Sequence, residues 1–519
     1  MRISKFFQNN IIVICSSVFP IAYLFFSNKS MIFAPDSYNY INENNIAPLF
    51  FRVFLTELLY FENFFHNNKI IFLEYICLSL YSLSTYLISR YFYLSKKKLY
   101  SIIIIPFLWS SFYLTPWFKY ILTDGISICL IFLSFAAFLN FDFKKRQAKN
   151  SVFFLLLFFT SSYIVCFIRP ALLIFFIVPI IMMMKKSVRS KKIILITIIS
   201  SIFSISLYIS TMLLINKEMP RQLGGVLTAL TFNYSIDLDR VNNHKEKIVI
   251  LSDSLEKYIN EYNNFVAWEK CNESNKLVWS HRDDTGHCFN KIYSGYIYKI
   301  LNNTRVTNTA YRSLVGKSES QEITVDDVYY SEPILRQYAI NKIYFNLKQF
   351  ISEVFTNAYY SVQKYGDRFK LRVSNTVELE QIYQSSLSNS ERALKNYQFK
   401  INKLEIEDLE INKFEKFIFT FNYYLPEFYG KYMPLIISVL LFSLCFSIFM
   451  KGGFYASLFY SLSVYIFSII LFQNLVFPTI PRLIDVINPI STLMILSIIF
   501  YIFEIFLKVF SIIKKKYEL

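Results

Sequence analysis

The sequence predicts an all-α polytopic membrane protein with about ten transmembrane helices and one large, mainly helical domain outside the cytoplasm. Three observations carry that expectation. Hydrophobic residues make up 54% of the chain and aromatics 19%, against 18% charged, and the mean hydropathy is +0.36. A soluble surface needs more charge than this. Apolar stretches long enough to cross a hydrocarbon layer of about 30 Å recur along the chain. The formal net charge of +17 is gathered in short runs between them: Lys96–Lys98, Lys144–Arg146, Lys185–Lys192 and Lys514–Lys516. That is the positive-inside distribution of a membrane protein rather than a groove for phosphate backbones, and it argues against nucleic acid as a partner.

The expected spans lie near 10–27, 69–94, 100–115, 121–141, 151–168, 170–184, 193–215, 432–450, 454–474 and 487–510. The pair flanking Arg169-Pro170 decides the topology. Read as one long span, it inverts every later orientation. Read as two, it keeps all the lysine-rich connections on one side, and both termini are then cytoplasmic. The first span is followed by a polar loop without a small-residue cleavage site, so it is expected to remain a span. The chain thus divides into an N-terminal membrane domain, 1–215, of about seven spans, a loop domain, 216–431, and a C-terminal membrane domain, 432–519, of about three. Glycine is scarce, at 10 residues, and neither a repeat nor a Pro- or Ser-rich linker separates these parts.

The long loop is large enough for a core of its own. From Ser331 to Tyr360, apolar residues recur at helical spacing: Leu335, Ala339, Ile343, Leu347, Phe350 and Val354. Thr376–Phe399 is a second helical candidate and Asp253–Tyr262 a third. Of 7 cysteines, Cys15, Cys77, Cys129, Cys166 and Cys445 fall in spans, as small apolar side chains. Cys271 and Cys288 stand alone in the loop, and an oxidising compartment would join them in a disulfide. The other reading is zinc held with His281 and His287, although the spacing matches no common zinc pattern.

The chemistry concentrates at the outer ends of the spans. Ala34-Pro35-Asp36-Ser37-Tyr38-Asn39-Tyr40 follows the first span. Behind it lies a mostly apolar segment, 48–66, striped by Arg52, Thr56, Glu57 and Glu62, which is expected to lie in the interface. Lys119, Asp124 in Leu122-Thr123-Asp124-Gly125, Arg169 in Ile168-Arg169-Pro170, and Arg482 with Asp485 in the 478–489 segment fall at the same membrane face. Any one of them could be an ordinary interfacial charge. Together they would build a mixed-charge site, because ionisable groups at span ends face a cavity or a partner rather than lipid.

In order and topology these motifs resemble the GT-C class of integral-membrane glycosyltransferases, which use polyprenyl-phosphate sugars. The carriers are an Asp-Ser-x-x-Tyr-like motif after the first span, the interfacial helix, a Thr-Asp entering a later span, and Pro-x-x-Pro-Arg before the last. The likeness covers 1–215 and 432–519 and is nearest to bacterial enzymes that modify O-antigen. Many relatives carry Arg-Tyr where this chain has Arg482-Leu483. The resemblance implies an inner-membrane enzyme with its loop domain in the periplasm. Its donor would be an undecaprenyl-phosphate sugar and its acceptor a glycan or lipid-linked glycan. Asp36 would be the catalytic base and Asp124 a second catalytic carboxylate that orients the acceptor or a basic partner. Arg169, Arg482 and Lys119 would meet the donor phosphate, supported by Tyr38, Arg52 and Asp485. No resident cofactor is implied beyond a divalent cation, which only some of the class use. No Gly-rich phosphate loop is present, which agrees with a lipid-linked donor. Three other readings compete: an O-antigen or capsule polymerase, which would depend on loop arginines; a transporter, which would want charge and helix breaks near the midplane; and a non-catalytic scaffold displaying the loop.

Overall fold

The computed structural model describes residues 12–22, 72–113, 123–141, 148–168, 175–178, 180, 191–215, 223–231, 234–241, 243–265, 303–318, 320–321, 323–363, 438, 454–476 and 488–517. Every regular element among the described residues is helical. The chain divides into two compact units. One comprises Met1–Tyr208, Val362–Ile470 and Pro481–Leu519; the other comprises Ile209–Ser361 and Leu471–Ile480.

The first unit is a helical bundle. Its helices are α1 (Ile12–Ala22), α2 (Phe72–Leu94), α3 (Lys98–Tyr113), α4 (Thr123–Asn140), α5 (Ala148–Ile168) and α6 (Lys191–Ile215). Together with α12 (Phe454–Val476) and α13 (Asn488–Tyr517), these fall on eight of the expected spans. Three of them, over Ile194–Thr211, Phe454–Leu471 and Pro489–Ile513, are long and apolar enough to cross a membrane. Polarity orders the bundle. Every side chain from Gly125 to Phe141 is buried, so α4, apolar all round, is the central helix. By contrast α6 exposes Leu195, Ile199, Ile202 and Phe203 and lies at the periphery.

Close packing is sealed by hydroxyls and amides. Tyr81 donates to the Leu108 carbonyl and Ser89 to that of Ser101, locking α2 to α3. Asn140 donates to the carbonyls of Leu87 at 2.7 Å and Ala136 at 2.9 Å and accepts from Arg90 at 3.0 Å. Ser134 lies 3.2 Å from the Ser162 hydroxyl and 3.1 Å from that of Tyr465, tying α4 to α5 and α12. Between helices surrounded by apolar side chains, such bonds fix register where apolar contact alone is permissive.

The same pairs fix direction. Contacts of α2 with α4 advance together, from Cys77–Cys129 to Tyr81–Phe132 to Leu87–Asn140, so the two helices are parallel. Contacts of α4 with α5 run oppositely, Ser134 with Ser162 and Phe138 with Phe158. So do those of α2 with α3, and near the Leu94 end of α2, Phe92 meets Phe454, the first residue of α12. Hence Phe72, Tyr113, Thr123, Ile168 and Asn488 share one end of the bundle. Leu94, Lys98, Asn140, Phe454 and the Glu504 region of α13 share the other. Tyr208, near the C-terminal end of α6, packs on Phe167 with ring centres 5.3 Å apart, bringing that part of α6 to the first end. Between α5 and α6, Phe175 and Phe176 are fully buried, and Phe175 is stacked on Tyr465 with ring centres 5.4 Å apart.

The second unit packs α7 (Leu223–Leu230), a 3-10 turn at Leu238–Arg240, α8 (Lys245–Phe265), α9 (Asn303–Val315), α10 (Val325–Phe345) and α11 (Leu347–Gln363). Its core joins Ile248, Leu251 and Leu255 of α8 to Ala310 and Tyr311 of α9 and to Ile334, Leu335 and Tyr338 of α10. The apolar periodicity from Ser331 to Tyr360 does not make one helix. Asn346 breaks it at φ −112°, ψ 34°. Its side-chain amide donates to the carbonyls of Ser235 at 2.8 Å and Lys342 at 2.9 Å, capping α10 and tethering the 235 turn. An asparagine that bonds carbonyls in this way competes with helix continuation, which apolar spacing does not register. The expected Asp253–Tyr262 helix is the middle of α8. Thr376–Phe399, the spans near 170–184 and 432–450 apart from residues 175–178, 180 and 438, and the interfacial segment 48–66 lie outside the described residues.

Candidate functional site

Of the residues singled out in the sequence, Asp124 alone falls on a described element, in the first turn of α4. Asp36, Tyr38, Arg52, Lys119, Arg169, Arg482 and Asp485 lie outside the described residues, as do Cys271 and Cys288. The helix ends that bracket them are described. Asp36, Tyr38 and Arg52 belong to the stretch between Ala22 of α1 and Phe72 of α2. Phe19, three residues before Ala22, stacks on Trp109, four residues before Tyr113, with ring centres 6.1 Å apart, and Ser82 of α2 reaches the Ser16 carbonyl at 3.4 Å. Lys119 lies between Tyr113 and Thr123. Arg169 directly follows Ile168. Arg482 and Asp485 precede Asn488. All of these anchoring residues stand at one end of the bundle, and the basic connection at Lys96–Lys98 stands at the other.

The structure adds a residue that the sequence reading did not single out. Glu74, in the first turn of α2, is 2% exposed. It lies one turn before Cys77 and two before Tyr81, on the face of α2 that meets Cys129 and Phe132 of α4. The parallel register sets it beside the first turn of α4, where Gly125 and Asp124 stand. A carboxylate inside an apolar stretch is itself a signal of a partner or a cavity, and the 69–94 segment carried it in plain view.

No family profile, curated protein or solved structure matches this chain. Function therefore rests on the residues and their geometry.

A second acidic centre lies in the other unit. Glu332 of α10 is 4% exposed. Its carboxylate accepts from the backbone N–H of Gly224 and, at 3.3 Å, from that of Gly225, the second and third residues of α7. The Tyr311 hydroxyl donates to it at 3.0 Å, and an Arg336 nitrogen stands 3.8 Å away. The arrangement caps the positive end of α7 with a charge from a neighbouring helix. Glycine is required for the approach. A Cβ on Gly224 would meet the Arg336 nitrogen at 2.6 Å and the Glu332 carbonyl at 2.7 Å, and one on Gly225 would meet Thr307 and Tyr311. Burial pushes the Glu332 carboxyl above the usual range, opposed by those three hydrogen bonds and the Arg336 charge. Burial also raises the Tyr311 hydroxyl, reinforced by the neighbouring carboxylate. Both oxygens are committed to protein donors, so Glu332 is a lock between α7, α9 and α10 rather than a reacting group.

Proposed function

We propose that the chain is an integral-membrane glycosyltransferase of GT-C-like architecture, with ten spans, cytoplasmic termini and the 216–431 domain in the periplasm. It takes a sugar from a polyprenyl-phosphate donor and passes it to a surface glycan or lipid-linked acceptor. The single observation that supports this reading is the sorting of the bundle's ends. The stretches that carry Asp36, Lys119, Asp124, Arg169, Arg482 and Asp485 are all anchored at one end, and the lysine-rich connection at Lys96–Lys98 is at the other.

In this reading Asp36 takes the proton of the acceptor hydroxyl as its oxygen attacks the anomeric carbon. The bond from that carbon to the phosphate oxygen breaks, and the lipid phosphate departs carrying the negative charge. Arg169, Arg482 and Lys119 stabilise that charge, and Arg offers a planar, bidentate match to phosphate. Asp124, with Glu74 beside its helix turn, orients the acceptor or holds a basic partner. The GT-C class includes metal-dependent members.

The test is Asp36→Asn, nearly isosteric, assayed by the sugar added to the surface glycan at matched protein level. Loss of the base is expected to slow transfer by roughly a hundredfold to ten-thousandfold. Transfer at the wild-type rate would remove Asp36 from the role and bring forward the polymerase reading, which a change in glycan chain length would then mark.

A further inference from the structure

Arg90 is a cation within the bundle that meets no carboxylate among the described residues. It stands one turn before Leu94, the end of α2 that lies at the basic end of the bundle. About 6 Å of helix separates it from that end. Its side chain is half-buried and reaches toward α4 and α5. One guanidinium nitrogen donates to the Asn140 amide oxygen at 3.0 Å, and the group lies over the Phe154 ring, 5.3 Å from its centre. None of the ion pairs among the described residues involves it.

The partners hold this group without neutralising it. Asn140 is 8% exposed, and its amide nitrogen is spent on the carbonyls of Leu87 and Ala136. That fixes the amide and presents its oxygen to Arg90. Arginine has five N–H groups in a rigid fork, and among the described residues one of them is used. A neutral amide and an aromatic face orient the fork and leave its charge unmet, whereas a cation in a bundle ordinarily faces a charged partner or a polar cavity. Phe153 packs edge-on against Phe154 at 5.4 Å and is 59% exposed, so this cleft lies at the bundle surface.

We infer that Arg90 binds the phosphate of an anionic phospholipid in the leaflet at the basic end of the bundle. The planar fork matches two phosphate oxygens at once. The level also fits. A helix of 23 residues is about 35 Å long, against a hydrocarbon layer of about 30 Å. A side chain one turn from its end therefore stands where acyl chains meet headgroups. Lys96 and Lys98, both exposed at that end, favour negatively charged headgroups there. The inference takes α2 as a span and does not depend on the transferase reading.

The experiment is native mass spectrometry of the full-length protein in detergent, titrated with phosphatidylglycerol, phosphatidylcholine or inorganic phosphate. One phosphatidylglycerol is expected to be retained at least about tenfold more tightly than phosphatidylcholine. Arg90→Gln should abolish that difference. Arg90→Lys, which keeps the charge and loses the fork, should retain only part of it, and it carries the test alone if the glutamine variant does not accumulate. Unchanged hydrogen exchange in α4 separates lost binding from lost folding. Equal retention of the two lipids by the wild type, or an undiminished preference in the variants, would overturn the inference. Displacement of the lipid by inorganic phosphate would overturn it as well, making the site one for a free anion. Asp142 follows Asn140 by two residues. If Asp142→Asn raised lipid retention several-fold, the guanidinium would belong to that carboxylate and the inference would fall.

Discussion

At Glu332 the balance between desolvation and hydrogen bonding is readable residue by residue. Three hydrogen bonds and the Arg336 charge favour the ionised carboxylate, yet burial outweighs them and raises the pKa. The native unit therefore holds this proton more tightly than the unfolded chain does. That contribution to stability is complete below the ordinary glutamate pKa and is lost as pH rises through the raised one. Asp327 behaves oppositely. Its bond to Lys317 and its place in the cap of α10 hold its pKa below the usual range. Its contribution is present above the ordinary aspartate value and is lost as pH falls through the lowered one. Glu332→Gln should therefore abolish the loss of protection on the rising-pH side and leave the acid-side loss in place. Hydrogen exchange of α7, corrected for intrinsic rate across that pH range, checks this. A variant that still loses protection as pH rises would show that another group sets the dependence. In the sequence Glu332 was one acidic residue on a helix with no mark of burial. Its role depends on Gly224 and Gly225, more than a hundred positions away. Glu74 differs, because a carboxylate within an apolar stretch is visible from composition alone.

Among the elements, legibility follows the source of the stability. The bundle helices announce themselves because an apolar environment leaves backbone groups to be satisfied within the helix, and the apolar run then sets the length. Boundaries in the second unit depend on individual side chains instead. Thr324 and Asp327 form a reciprocal cap at the start of α10, with the Thr324 N–H donating to Asp327 at 2.6 Å. Asn346 ends the same helix. Neither feature enters an apolar-periodicity reading, which is why one continuous stretch was expected where two helices occur. Thr324→Ala should cost the second unit about 1 kcal/mol. Gly224→Ala, which drives a methyl group into the backbone of α10, should cost about 1–3 kcal/mol or more. Denaturant titration of the purified full-length protein, followed by exchange at α8 and α10, would rank the two. If the alanine at 224 proved no worse than the one at 324, the close approach of α7 to α10 would be wrong.

For the whole molecule, the decisive question is whether the chain turns back at Arg169-Pro170. The sequence left it to the distribution of lysines, because two short apolar stretches in near continuity look the same whether they make one span or two. Side-chain packing speaks to it independently. Phe167 near the end of α5 and Tyr208 near the end of α6 are in contact, and Phe176 also meets Tyr208 at 6.2 Å. Phe175, only seven residues beyond Ile168, is already stacked on Tyr465, which shares its buried polar cluster with Ser134 in the middle of α4. Ile168 at one end of the bundle and Phe175 among its central side chains are not two points on one straight continuation of α5. Fusion reporters placed after Lys98, Lys149, Arg189 and Lys515 should accordingly all read cytoplasmic, and those after Asp36 and Glu319 periplasmic. The Arg189 reporter is the sensitive one. With a turn at 169–170 it shares a compartment with Lys149, and with one long span it does not. A periplasmic signal at Arg189, together with a cytoplasmic one at Glu319, would invert everything after α5. It would part Arg169 and Arg482 from Asp36 and leave Lys119 alone, of the three proposed cations, to meet the leaving phosphate.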